Sequence, residues 1–275
     1  PGTTPRCWYY QVRDLDPSAR RYAALLIPVG DYDDEDRGEE DRGVDLADET
    51  ADLHYLIARL RLADVLDFAG SYHGAYQKWQ AFRGSLFKGT VYKDDLQAFL
   101  LAPDERRDKV QAYDRTYASE AYAFIGSSHN LAGLSVDWET RRIHFPPGAT
   151  AEEIQLIKDV LLRPVSLQTG RLAAYRREWF GRIVHHYRGT ATRVVFFRLP
   201  RGPVPRPDTL VKKLSSSIRE FAADPNVVLL NEHALDSLER PELFMDVRQH
   251  MNAEGMARFT TMLARELGAA LDAVQ

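Results

Sequence analysis

The sequence predicts an α/β fold in which parallel strands and crossover helices are interrupted by a mostly helical insertion. Three observations carry this. From Thr169 onward helical and strand patterns alternate, as parallel strands joined by helices require. Residues 20–29, RRYAALLIPV, hold a short continuous apolar run of the kind shown by a strand buried on both faces. Between the two, residues 31–164 mostly repeat apolar residues at helical spacing among charged ones.

Composition narrows the function classes. The 275 residues are 44% hydrophobic, 11% aromatic and 28% charged, enough for a large α/β domain and incompatible with collagen, a coiled-coil rod or wholesale disorder. A formal charge of −4 from 36 basic and 40 acidic residues provides no global positive field for nucleic acid or an anionic membrane. The lone Cys7 excludes an internal disulfide framework and a Cys-ligated zinc site. No apolar run approaches the roughly 18 residues of a membrane span, and no charged-then-apolar signal segment opens the 275 residues.

Taken in order, the chain opens on the turn-type residues Pro1-Gly2-Thr3-Thr4-Pro5, read either as a processing boundary in a loose terminal arm or as a sign that a strand with its active-site loop lies upstream. The strand at 20–29 stops at Gly30-Asp31. Eight carboxylates follow between Asp31 and Asp41, read as a solvated charge run. They lack the glycine at the sixth and the glutamate at the twelfth position of a calcium loop. Leu53, Leu56, Ile57, Leu60, Val65, Leu66 and Phe68 predict one long amphipathic helix or two. Helical pattern continues from Tyr76 to Tyr122, with breaks near Gly89 and at Pro103.

At 134–145, LSVDWETRRIHF alternates apolar and polar residues around a turn at Glu139-Thr140 and predicts a small hairpin. Thr150 is placed to cap a helix that runs to Leu162, with Glu152 and Glu153 at its positive end. A helix at 171–187, a strand at 193–199, a helix at 208–223, a strand at 226–230 and a final helix at 253–274 complete the pattern. The core is thus expected in residues 1–30 and 165–275, and the insertion in 31–164.

Ligands of open parallel sheets sit beyond the C-terminal ends of the strands. That rule selects the loops at 30–33, 200–203, 231–233 and 246–252. In the last, Asn252 is placed to cap the final helix, so His250 lies in the loop just before it with Asp246 four residues earlier. A carboxylate this near in sequence accepts the imidazole Nδ1–H, fixes the tautomer and leaves Nε2 to take a proton from a nucleophile. The bland alternative is a packing histidine beside a solvated aspartate.

Arg198, Arg201 and Arg206 lie at or beyond a strand's end, placed for bidentate contact with an anionic sugar or carboxylate or, alternatively, in a Pro-stiffened surface loop. Trp8, with Tyr9 and Tyr10, is either a platform for sugar rings or part of the core. Ser127 and Ser128 beside His129 read as a loop, because the segment lacks the strand-turn-helix setting of a nucleophile elbow. Ser215-Ser216-Ser217 read as helix-surface hydroxyls, and His185-His186 as half-buried residues on different helix faces.

The tail, Asp246 and His250 followed by Met251-Asn252-Ala253-Glu254-Gly255 and an amphipathic helix, resembles the last block of the SGNH (GDSL-type) hydrolase superfamily. It is most similar to the exported branch that includes the alginate O-acetylation and DltD-like proteins. The opening Pro1-Gly2-Thr3-Thr4-Pro5 resembles the family block in which a glycine supplies an oxyanion-hole N–H, here Gly2. The resemblance spans residues 1–30 and 165–275. It implies a flavodoxin-like three-layer sandwich lacking its first strand, and an esterase or O-acyltransferase acting on an acyl ester, such as one on an envelope polysaccharide.

By the same resemblance Asp246 orients His250, which serves as general base and then acid. No cofactor or metal is implied. The implied partners are the acyl ester or polysaccharide substrate and a membrane-bound acyltransferase, with no nucleic acid and no transmembrane segment. The implied location is exported, periplasmic or membrane-anchored through a preceding N-terminus, with the cytoplasm as the alternative.

The chain departs from the family pattern in three places. Three residues separate Asp246 from His250 where the family has two, so the loop bulges or a different acid serves. The loop that would carry an oxyanion-hole asparagine reads Gly30-Asp31-Tyr32-Asp33, which leaves Tyr32 as the substitute donor. The nucleophilic serine of the Gly-Asp-Ser block is absent from the 275 residues. The competing readings are a non-catalytic relative that holds a glycan or protein in the same cleft, and an α/β scaffold whose acidic insertion makes protein contacts.

Overall fold

The computed structural model of the chain describes residues 4–29, 35–39, 53–162, 165–169, 171–206 and 216–272. Thr4 starts α1 (Pro5–Leu15): its hydroxyl accepts the Cys7 N–H, and Pro5 occupies a first-turn position where no N–H partner is needed. Next come β1 (Ala24–Val29), β2 (Glu35–Glu39), and the helices α2 (Leu53–Leu56), α3 (Val65–Gly70), α4 (Ala75–Leu86), α5 (Lys93–Leu101) and α6 (Pro103–Gly126). The strands β3 (Ser135–Asp137) and β4 (Arg142–His144) form the small antiparallel hairpin, and α7 (Ala151–Leu161) follows. The remainder is β5 (Val165–Thr169), α8 (Arg171–Tyr187), β6 (Arg193–Arg198), α9 (Ser216–Arg219), β7 (Val227–Leu229) and α10 (Ala253–Asp272).

The centre is a mixed α/β arrangement on a three-stranded parallel sheet of order β1-β6-β7, with Leu25 opposite Val194 and Val195 opposite Val228. Alternate residues of β6 serve opposite faces, as strand geometry dictates. Val194 and Phe196 join Ile27, Val29 and the α8 residues Phe180, Ile183 and Val184 in one core. Val195 and Phe197 join Val228, Leu230, α7 and the apolar stripe of α10 in another. A third core gathers α1, α2, α3 and Trp179 around residues such as Tyr10, Leu56 and Phe68. The sheet therefore carries apolar layers on both faces, and the strand ends are where polar chemistry is left to assemble.

Several expectations need correction. The carboxylate run is not only a solvated charge run: Glu35–Glu39 form β2, antiparallel to β5, with Glu35 opposite Thr169 and Glu39 opposite Val165. Of the two readings of residues 53–68, one long helix or two, the structure shows two. α2 ends at Leu56, and a 3-10 turn at Leu62–Asp64 precedes α3. Asp64 fixes that turn by accepting the Arg61 N–H at 2.8 Å while pairing with Arg13 at 2.5 Å.

Ser217 is buried, not on a helix surface. Of the helix expected at 208–223, residues 216–223 form α9 and a 3-10 turn, while 208–215 and Ser215 lie outside the described residues. The breaks near Gly89 and at Pro103 fall where the pattern placed them, between α4, α5 and α6. Thr150 caps α7 as expected, exchanging side-chain bonds with Glu153. Among the described residues, no helix is long and apolar enough to cross a membrane.

Candidate active site

His250 and Asp246 sit on one loop between β7 and α10, and the chain folds back on itself to make it. Phe244 and Met251 form an antiparallel bridge, with Met245 N–H donating to the His250 carbonyl at 2.9 Å and Asn252 N–H to the Leu243 carbonyl at 3.1 Å. The six residues thus pinched off absorb the extra residue between aspartate and histidine through Gln249, which adopts φ +73°. The loop bulges, and the same aspartate reaches the histidine.

His250 Nδ1 lies 2.6 Å from Asp246 Oδ2, while Asp246 Oδ1 accepts the N–H groups of Arg248 at 2.8 Å and His250 at 3.2 Å. With Nδ1–H donated to the carboxylate, Nε2 is the atom that takes or gives a proton. The imidazole is about half exposed, at 52%, so a substrate can approach it.

The N-terminus of α10 anchors this loop. Asn252 Oδ1 accepts the Gly255 N–H at 2.9 Å, the capping role its position suggested. Its Nδ2 donates to the carbonyls of Glu242 at 2.8 Å and His129 at 3.1 Å. Gly255 is required for contact: a Cβ there would stand 2.2 Å from the Leu243 carbonyl oxygen. Ala253 N–H donates to the Ser127 carbonyl at 2.9 Å. The loop holding Ser127, Ser128 and His129 is therefore fastened to the base of the histidine loop, a juxtaposition that sequence reading missed because the partners are 123 residues apart.

Arg198 and Arg201, the expected substrate contacts, belong to a buried ion cluster. The Arg198 guanidinium pairs with Asp236 and, at 3.1 Å, with Glu239. Arg201 donates to Glu239 from its backbone N–H at 3.1 Å, from Nε at 3.0 Å and from Nη2 at 2.7 Å. Burial pushes the Glu239 carboxyl upward, but the bonds from Arg201 and the charges of Arg201 and Arg198 outweigh it and hold the group below the usual carboxylate range. The cluster shapes the 200–206 loop, in which Gly202 (φ +116°) comes so close to Gln249 that an added Cβ would lie 3.3 Å from its Cγ. Arg198 and Arg201 thus support the wall beside the histidine loop, and Arg206 lies 5.5 Å from the Trp138 ring.

A second histidine–carboxylate pair lies on the loop after β7, with His233 Nδ1 3.0 Å from Asp236 Oδ2. The three-residue spacing was its sequence signal. Trp8 packs from α1 against Phe180, with ring centroids 6.0 Å apart, between two of the cores. The expected oxyanion donors Gly2 and Tyr32 lie outside the described residues.

No family model, curated protein or solved structure matches this chain. The local chemistry must stand by itself. It consists of a tautomer-fixed, accessible imidazole at the C-terminal end of a parallel sheet, on a loop braced by α10 and the 200–206 segment.

Proposed function

We propose that the protein performs acyl-ester chemistry, as an SGNH-like esterase or O-acyltransferase, with His250 as general base and acid and Asp246 as its orienting carboxylate. The 2.6 Å contact between His250 and Asp246, on a loop bulged to fit the longer spacing, carries this reading. Its position at the end of the sheet where α/β enzymes gather their catalytic groups supports it. So do the apolar layers on both faces of the sheet, which agree with a flavodoxin-like sandwich. In this reading the protein acts on an envelope polysaccharide, outside the cytoplasm.

His250 would take the proton of a hydroxyl nucleophile through Nε2 and return it to the leaving alcohol, while Asp246 stabilises the imidazolium formed between the two steps. No Gly-Asp-Ser block occurs in the 275 residues, so the reading takes its serine from outside them. Hydrolysis of p-nitrophenyl acetate by this chain should therefore equal that of its His250→Ala variant. A His250-dependent rate would place the nucleophile within the chain, and Ser127→Ala and Ser128→Ala would then be the first variants to assay. The codons immediately upstream of Pro1 decide the larger question: a strand ending in Gly-Asp-Ser supports the enzyme. Its absence, with no turnover, leaves a non-catalytic binding relative.

A further inference from the structure

β1 and β6 begin side by side at the end of the sheet opposite to His250, where a cavity of about 650 Å³ opens. Its lining includes Arg20, Arg21 and Tyr22 ahead of β1, Arg193 at the start of β6, and Leu271 near the end of α10. The backbone around it is fastened in place. Thr192 donates its hydroxyl to the Tyr22 carbonyl at 2.6 Å, and Arg193 N–H donates to the Ala23 carbonyl at 3.0 Å. Asp16, 1% exposed, accepts the N–H groups of Arg20 and Arg21, each at 3.1 Å, and the Tyr187 hydroxyl at 3.3 Å. Its charge is met by those donors, and it does not line the cavity.

The three guanidinium groups are treated differently from other arginines of the chain. Arg13 is paired with Asp64, Arg177 with Glu220, Arg182 with Asp67, and Arg188, close to the cavity in sequence, with Asp224. Arg21 instead donates to the Leu15 carbonyl at 3.1 Å, and Arg193 to the Pro225 carbonyl at 2.6 Å, both neutral acceptors. Among the described residues, Arg20, Arg21 and Arg193 have no carboxylate at ion-pair distance. Three arginines line one concave space with no carboxylate paired to them among the described residues, so the lining is net positive, which an anion relieves. Each guanidinium has five N–H donors, so a single carbonyl bond leaves donors for a ligand. The Tyr22 ring, 5.5 Å from the Arg21 guanidinium, gives that side chain a surface to rest on.

We propose that this cavity binds a small ligand through an oxyanion, a phosphate or a carboxylate, with Arg20, Arg21 and Arg193 as its cationic contacts. Its volume falls within the ~300–1,000 Å³ of small-molecule sites, and its place at the far end of the sheet makes it independent of the His250 chemistry.

Calorimetric titration of the 275-residue chain with sodium pyrophosphate and, separately, sodium citrate at low ionic strength tests this. One or both should bind saturably, and binding should weaken about ten-fold in Arg20→Gln and in Arg193→Gln. It should be unchanged in Arg258→Gln, an exposed arginine on α10 that is paired with Glu254. Preference for pyrophosphate assigns a phosphate compound, and preference for citrate a carboxylate. Arg20 is exposed, so its variant tests the site without disturbing the sheet. Absence of saturable binding by both anions up to about 10 mM, or equal weakening in Arg258→Gln, overturns the site.

Discussion

At the C-terminal end of the parallel sheet the side chains of Arg198, Arg201 and Glu239 are 1%, 5% and 6% exposed and bonded to one another, whereas α5 buries no residue and leaves Leu100 and Leu101 71% and 82% exposed. Both regions mix charged and apolar residues. In the first, each charge is matched inside the fold and the apolar residues face a core. In the second, apolar side chains meet water, and α5 packs mainly on α6 and the turn at Lys88–Thr90. A single substitution is therefore expected to cost more in the loops that brace His250 than in α5.

Replacing Glu239 by Gln should show the largest effect, because it removes a buried carboxylate that accepts three bonds from Arg201 and one from Arg198. A loss of about 3 kcal/mol is expected in chemical denaturation, the scale for breaking a buried pair from one side. Gly255→Ala should follow at about 2 kcal/mol, since its new Cβ collides with the Leu243 carbonyl and the α10 N-terminus must shift. That variant should also disturb the His250 ring resonances in an NMR spectrum, because the shifted segment closes the histidine loop. Leu100→Ser and Leu101→Ser should each stay within about 0.5 kcal/mol of the parent. A loss above 1 kcal/mol at either leucine would erase the contrast between the two regions.

The legible parts of the fold were those written in local sequence. β1, β6 and β7 follow from apolar runs, α7 from its capping Thr150 and Glu153, and the contact between Asp246 and His250 from a four-residue separation. Illegible parts depended on partners far along the chain. Nothing in the acidic Glu35–Glu39 announces a strand until β5 is brought beside it. Periodicity left one helix or two open over residues 53–68, and the deciding turn is fixed by a distant partner, Arg13 on α1, which bonds Asp64. Arg198 and Arg201 read as ligand contacts because their carboxylates, Asp236 and Glu239, arrive only with the loop after β7.

Asn252 and Ala253 join the histidine loop to the Ser127–His129 carbonyls across 123 residues of chain. Closing so long a loop costs entropy that only the completed contact repays, so this junction belongs among the slow, non-local steps of folding. The Asp246–His250 turn, by contrast, closes within a handful of residues. The Asp246–His250 contact depends on local sequence alone, while the floor beneath it depends on a contact made across 123 residues.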